Sequence, residues 1–309
     1  MNCSNGSYGA LLKDLGLRHQ DVFVIDSGLA TSMQTVEFQS AFPERYVNLG
    51  IAEANAVGFA SGLARRGFRP YVHSFANFLA RRALDQIAIS AVLPGLPIVF
   101  VAGSCGLYDG KNGPSHFANA DLAAMSSLPG MTVFEPADEA DLDAIVEISA
   151  CTPGPVYIRL RRHGLPKRLG TGMHGEPTRR IVASSAPRLT VVAIGSFLDE
   201  TLTACHIAGD NGVPVDLFHV LRPKPLDLDQ ILTSARKSRR TVVVENHVAV
   251  GGTGQALAAR LAEESLRCKI FGLPDGVLPA AEPGYLLRIT KLDAISLAAR
   301  LIALSEGEK

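Results

Sequence analysis

Short runs of β-branched and apolar residues recur along this chain, each separated from the next by an amphipathic stretch long enough for a helix. DVFVID (21–26), RPYVHSF (69–75), LPIVFVAG (96–103), MTVFEP (131–136) and PVYIRL (155–160) read as strands. Helices are expected around Ala52 to Arg66, at ALDQIAISAVL (83–93) and at DEADLDAIVEIS (138–149), the last with acids in its first turn, where they favour the helix dipole. Such alternation leaves few architectures open and argues for parallel sheets built from βαβ units.

The pattern restarts in the second half, with strands at LTVVAIG (189–195), VPVDLFHV (213–220), TVVVEN (241–246) and CKIFGLP (268–274) and a closing helix at TKLDAISLAARLIAL (290–304). Between the halves, RRHGLPKRLGTGMHGEPTRR (161–180) is basic, Gly-containing and unpatterned, as a linker is. A length of 309 residues suits two domains. The expected fold is α/β with two domains, each a mainly parallel sheet flanked by helices: residues 1–167, a linker over 168–188, and residues 189–309.

Thirty basic residues balance thirty acidic ones, which leaves no electrostatic footprint for nucleic acid or an anionic membrane. The cysteines (Cys3, Cys105, Cys151, Cys205 and Cys268) are odd in number and never spaced CxxC, against both a disulfide framework and a zinc site. MNCSNGSYGALLKDLG has no basic-then-apolar signal pattern, and the apolar run Ile87–Gly103 is cut by Pro94, Gly95 and Pro97. A cytoplasmic protein with no membrane span is the expectation.

Four segments hold candidate chemistry. In VNLGIAEANAVGFASGLARRG (47–67), Glu53 opens a helix of small residues with no cation before Arg65. An acid there can simply favour the helix dipole. It can equally be a carboxylate in a dry crevice, where desolvation favours the protonated form. In HSFANFLARRALDQ (73–86), Phe75 and Phe78 share a face; they serve either as core or as an aromatic wall for a flat heterocycle. GLYDGKNGPSHF (106–117) is a rigid Gly/Pro loop delivering His116 after a strand, where ligands of parallel sheets bind. It lacks GxxxxGK[ST], so it is no nucleotide P-loop. Arg159, Arg161, Arg162 and His163 form either a solvated strand end or an anion-pairing cluster.

GIAEAN (50–55), HSFANF (73–78), NGPSH (112–116) and MTVFEPAD (131–138), in that order, resemble the C-terminal half of transketolase. VVVENHVAVGGTGQALA (242–258) resembles the last domain of that half. Deoxyxylulose phosphate synthase and the β subunits of 2-oxoacid dehydrogenases share the plan, although the latter fit NGPSH less well. The resemblance implies a pyrimidine-binding domain, a C-terminal domain and thiamine diphosphate as cofactor. It further implies transfer of a two-carbon ketol unit from a ketose to an aldehyde. Glu53 matches the glutamate that hydrogen-bonds N1′ of the aminopyrimidine. Phe75 and Phe78 match residues flanking that ring, and Leu29 and Ile51 match apolar contacts to it. His116 matches a histidine near the reacting carbon, while Ser32 and Arg162 match the site of the substrate's phosphate. An acid serving a ring nitrogen near neutral pH calls for apolar neighbours and no adjacent cation.

The departures from the family are as informative. Full-length members carry an N-terminal half that holds the diphosphate through Mg²⁺ with a GDG motif followed by Asn. No GDG occurs here, and GDNG (209–212) reads as a helix C-cap turn. A diphosphate–Mg²⁺ group needs hard oxygen ligands. The resemblance therefore implies no metal ligand in this chain, Mg²⁺ held mainly by an N-terminal transketolase-like partner subunit, and a heterotetramer of two plus two chains. At substrate positions the chain has Asn5 for an arginine, Ser104 for a histidine, Asn112 for an aspartate and Gly28 for another aspartate. Losing the arginine and the histidine removes charge-assisted bonds worth roughly 1.5–3 kcal/mol each. The expected substrate is thus not an ordinary pentose or hexose phosphate but a sulfonated, branched, unphosphorylated or carrier-bound one. Two alternatives stay open: a related acyl or ketol transferase or ligase, and a non-catalytic stabilising subunit.

Overall fold

In a computed structural model describing residues 7–161, 164–169 and 174–307, the apolar runs assemble into two sheets. The first contains β1 (Val22–Asp26), β2 (Tyr46–Asn48), β3 (Arg69–Phe75), β4 (Val99–Gly103), β5 (Thr132–Phe134) and β6 (Val156–Arg159), all parallel, in the order β2-β1-β3-β4-β6-β5. Alternate residues feed opposite cores, as strand geometry requires. Val24, Tyr71, Val99 and Ile158 pack on one face, and Ile25, Val72, Phe100 and Tyr157 on the other. The strand order reverses beside β1, and in such sheets the crevice beyond the carboxyl ends at that point is where ligands bind.

The second sheet contains β7 (Thr178–Val182), β8 (Leu189–Ile194), β9 (Val215–Val220), β10 (Arg240–Val248) and β11 (Arg267–Leu273), in the order β11-β10-β8-β9-β7. All are parallel except β7, which pairs antiparallel with β9. β7 lies in the stretch read as a linker from its mixed composition. It is a strand because Arg179 turns inward, where its Nη2 donates to Asp141 Oδ2 at 3.1 Å. β2 is another strand that the apolar pattern does not announce, being only three residues long.

The two sheets share a buried polar junction centred on Arg159, the last residue of β6, which is fully buried. Its Nε donates to Asp121 Oδ2 at 2.9 Å and its Nη1 to Glu135 Oε2 at 3.0 Å. Its Nη2 donates to the carbonyls of Ala118 at 3.2 Å and Asn246 at 2.7 Å, the latter in the second domain. Burial alone would push the Asp121 carboxyl up, but Arg159 beside it holds it below the usual carboxylate range. Glu135 in turn accepts from Ser196 Oγ of the second domain at 2.7 Å. Two glycines permit this closeness. A Cβ at Gly195 would stand 2.1 Å from Glu135, and one at Gly106 would stand 2.1 Å from Asn246; both residues have positive φ.

Arg159→Met would leave two buried carboxylates without their cation. We expect a loss of about 3–5 kcal/mol, read as a lower urea midpoint, with only partial recovery in Arg159→Lys. A second expectation concerns Glu245, fully buried on β10 and accepting from the Gly254 amide at 3.0 Å. Burial pushes its pKa from the ordinary 4.5 up to about 7. The folded state thus keeps a proton that the unfolded chain has lost, so this group's contribution to stability falls as pH rises across that window. Glu245→Gln should flatten the stability–pH curve there, and an unchanged slope would refute the assignment.

Candidate active site

The residues that carry candidate chemistry gather at the carboxyl edge of the first sheet. Glu53 follows β2 and begins the helix Glu53–Arg65. Ala56, Val57, Ala60 and Ala64 bury one side of that helix, which draws Glu53 in with them until only 3% of it is exposed. Ser74 Oγ, near the end of β3, donates to Glu53 Oε1 at 3.2 Å. The expectation of an acid with no adjacent cation is overturned here. Arg82 Nη1 lies 3.1 Å from Oε1 and 3.3 Å from Oε2. The physical reason is the helix Ala76–Arg82, which turns back after β3 and carries its last residue across to Glu53.

Phe75 ends β3 and precedes that helix, and Phe78 lies one turn on. Their ring centroids are 5.6 Å apart. The His116 ring stands edge-on to both, at 6.2 Å from Phe75 and 5.4 Å from Phe78. The helix also fixes the histidine's loop, because Asn77 Nδ2 donates to the carbonyls of Pro114 at 3.3 Å and Ser115 at 3.1 Å. Ser115 Oγ lies 2.9 Å from His116 Nδ1. Asn112 is exposed on the same loop. From behind, the second domain braces this segment. Asn246 Oδ1 accepts from the Leu107 amide at 2.9 Å, and the Ala281 amide donates to the Gly110 carbonyl at 3.1 Å.

The loop after β1 is shaped by Asp26, which accepts from the Leu29 amide at 2.6 Å and from Thr35 Oγ1 at 3.0 Å. Leu29 is half-buried, whereas Ile51 stands 80% exposed beside Gly28. Ser32 lines a small cavity of about 30 Å³ with Tyr8, Met33, Gln34 and Arg161. Under it, Tyr8 Oη lies 2.6 Å from His73 Nε2, and burial lowers that imidazole's pKa to about 4. Ser104, at the end of β4, is buried at φ +61° with its hydroxyl unpartnered.

The basic cluster at the end of β6 divides. Arg159 turns inward to the domain junction and is not a surface anion-binding group. Arg161 stacks over Tyr108, its guanidinium carbon 3.6 Å from the ring centre. Arg162 and Asn5 lie outside the described residues. Among the described residues, one set of potential metal ligands comes close together: Asp138, Asp141 and His174. Their carboxylates already accept from the backbone amides of Asp141, Leu169 and Ala137 and from Arg179, so this cluster docks the interdomain segment. Sequence reasoning missed Ser74, Asn77, Arg82, Tyr8 and His73. Only the charged RR pair closing a largely apolar helix carried any signal.

The site thus offers a buried carboxylate, an aromatic pair and an imidazole at one sheet edge, with the loops that hold them braced by a second domain. Residues 5–167 match the family model of the transketolase pyrimidine-binding domain, and residues 180–296 match that of the transketolase C-terminal domain. A 6-deoxy-6-sulfo-D-fructose transketolase subunit from Clostridium sp. (strain MSTE9) is 32% identical over 83% of this chain and 80% of its own length. A putative transketolase C-terminal section from Methanocaldococcus jannaschii is 32% identical over 96% of this chain and 94% of that one. Among solved structures, a split-gene transketolase described as an inactive β4 tetramer superposes with a TM-score of 0.88 at 35% identity, covering 98% of both chains. With both domains matched in order and relatives aligned along most of their length, this chain belongs to the transketolase family, as its pyrimidine-binding and C-terminal domains.

Proposed function

We propose that the chain is the C-terminal subunit of a split, thiamine diphosphate-dependent transketolase, and the observation that carries this is the Glu53–Phe75–Phe78–His116 grouping. A buried carboxylate at the edge of an aromatic wall fits an aminopyrimidine, which needs a flat apolar face and one acid for its ring nitrogen. When bound, thiamine diphosphate supplies the nucleophilic carbon and the electron sink for ketol transfer. Glu53 would hydrogen-bond the ring nitrogen, Phe75 and Phe78 would orient the ring, and Leu29 and Ile51 would contact it. His116, with Nδ1 engaged by Ser115, would have Nε2 left to serve the substrate near the reacting carbon.

The charged end of the cofactor falls to another chain. The close acidic cluster among the described residues is committed to the interdomain segment, so we assign Mg²⁺ and the diphosphate to an N-terminal subunit. A surface for that subunit is at hand. Asn55, Gly58, Phe59 and Gly62 are exposed on one side of the Glu53 helix, and a Cβ at either glycine would meet nothing within 4 Å. The π-helical turn Ile87–Val92, packed against that helix, leaves Ile89 56% exposed, and Leu93 just after it is 81% exposed. An apolar face of this kind marks an interaction site. We further propose an assembly of two plus two chains with the N-terminal subunit.

The substrate reading follows from the loops. Ser104 and Asn112 replace charged groups near the site, while Ser32 and Arg162 remain for an anionic end. A non-standard ketose, such as the sulfonated sugar named for one relative, suits that set.

Calorimetry should show thiamine diphosphate and Mg²⁺ binding only when this chain is mixed with its N-terminal subunit. In that assembly, Glu53→Gln should lower turnover by about 10²–10⁴-fold with an unchanged melting midpoint. Binding by the isolated chain, or a Glu53→Gln assembly of full activity, would sink the reading. For the substrate, ketol transfer from a sulfonated or unphosphorylated ketose should outpace that from ordinary pentose phosphates in kcat/KM. Equal turnover would refute it.

A further inference from the structure

The cation beside Glu53 has an unusual placement. A single nitrogen, Arg82 Nη1, spans both carboxylate oxygens at 3.1 and 3.3 Å. That is a lighter grip than the two-nitrogen fork arginine commonly forms, and it leaves outer lone pairs of the carboxylate open to another partner. Oε1 has a second donor in Ser74 Oγ at 3.2 Å. The carboxylate is therefore held from two elements, β3 and the helix that follows it, without being saturated.

The same guanidinium lies over the Phe78 ring, its carbon 3.9 Å from the ring centre. Phe78 in turn meets His116 at 5.4 Å. One side chain thus links the acid to the aromatic wall and, through it, to the imidazole. Arg82 reaches in from outside, with 47% of its side chain exposed against 3% for Glu53. A half-exposed partner contributes little to folding. What it does fix is the setting of a buried acid that has few other restraints.

We propose that Arg82 is a positioning residue: it holds the Glu53 carboxylate in one orientation beside Phe78, so that the acid meets the ring nitrogen without rearranging. This rests on the reading that the crevice takes the aminopyrimidine of thiamine diphosphate. Ordering a free carboxylate during binding costs affinity, and a carboxylate already ordered does not incur that loss.

The test is thiamine diphosphate affinity, measured by calorimetry with Mg²⁺ on this chain assembled with its N-terminal subunit. The variants are Arg82→Ala, Arg82→Lys, Glu53→Gln and the Glu53→Gln/Arg82→Ala pair. Arg82→Ala should weaken binding by about threefold to tenfold. Arg82→Lys, which keeps the charge, should recover most of it. Once Glu53 is replaced, removing Arg82 should have no further effect, because its action passes through that acid. An equal loss in both backgrounds would mean a general structural role and overturn the proposal. Tighter binding by Arg82→Ala would mean that arginine competes with the ring, and would overturn it too. Silence from the wild-type assembly would instead remove the underlying reading of the crevice, a failure recognisable because no variant then binds.

Discussion

A single guanidinium, that of Arg159, sets the terms on which the two domains meet. Buried charge is tolerated only when paired and hydrogen-bonded, and here one cation faces two carboxylates and two backbone carbonyls drawn from both sides of the junction. The geometry has consequences beyond the pair itself. Glu135 and Asn246 occupy space that only glycine leaves free at positions 195 and 106. Gly106 begins the loop that ends at His116. Domain packing and site geometry are therefore one problem, solved by the same few residues.

This gives the second domain a defined part in the chemistry. Among the described residues it contributes no group to the grouping around Glu53, yet it holds the His116 loop through the Leu107 and Gly110 backbones. Asn77 holds the same loop from the front. Loops are usually the mobile part of a site, and the entropy of ordering one is large. Here hydrogen bonds from Asn77 and from the second domain hold the loop, which lowers that cost.

Much of the architecture was legible in the order of residues, because buried parallel strands leave near-continuous apolar runs that helices must separate. The placement of candidates at strand ends followed from the same pattern. What escaped notice had physical causes. β2 is three residues long, too short for any periodicity to show. β7 carries Arg179, whose charge reads as solvent-facing until Asp141 is known to lie beside it. Arg159 was grouped with a surface cluster for the same reason. The pairing of Arg82 with Glu53 depends on the angle of one short helix, and no local spacing encodes that angle. The resemblance of ordered motifs pointed to the acid and the aromatics as candidates, but it passed over the residues that hold them in place.

The bare face formed by Gly58, Phe59, Gly62, Ile89 and Leu93 also bears on supply. An apolar surface next to a cofactor site is covered by whichever complementary chain is abundant. On the proposed reading, an N-terminal subunit would cover it to an extent set by mass action. On that reading, the active fraction would depend on the ratio in which two polypeptides are made. Dividing an enzyme into two chains in this way turns matched synthesis into a condition of catalysis.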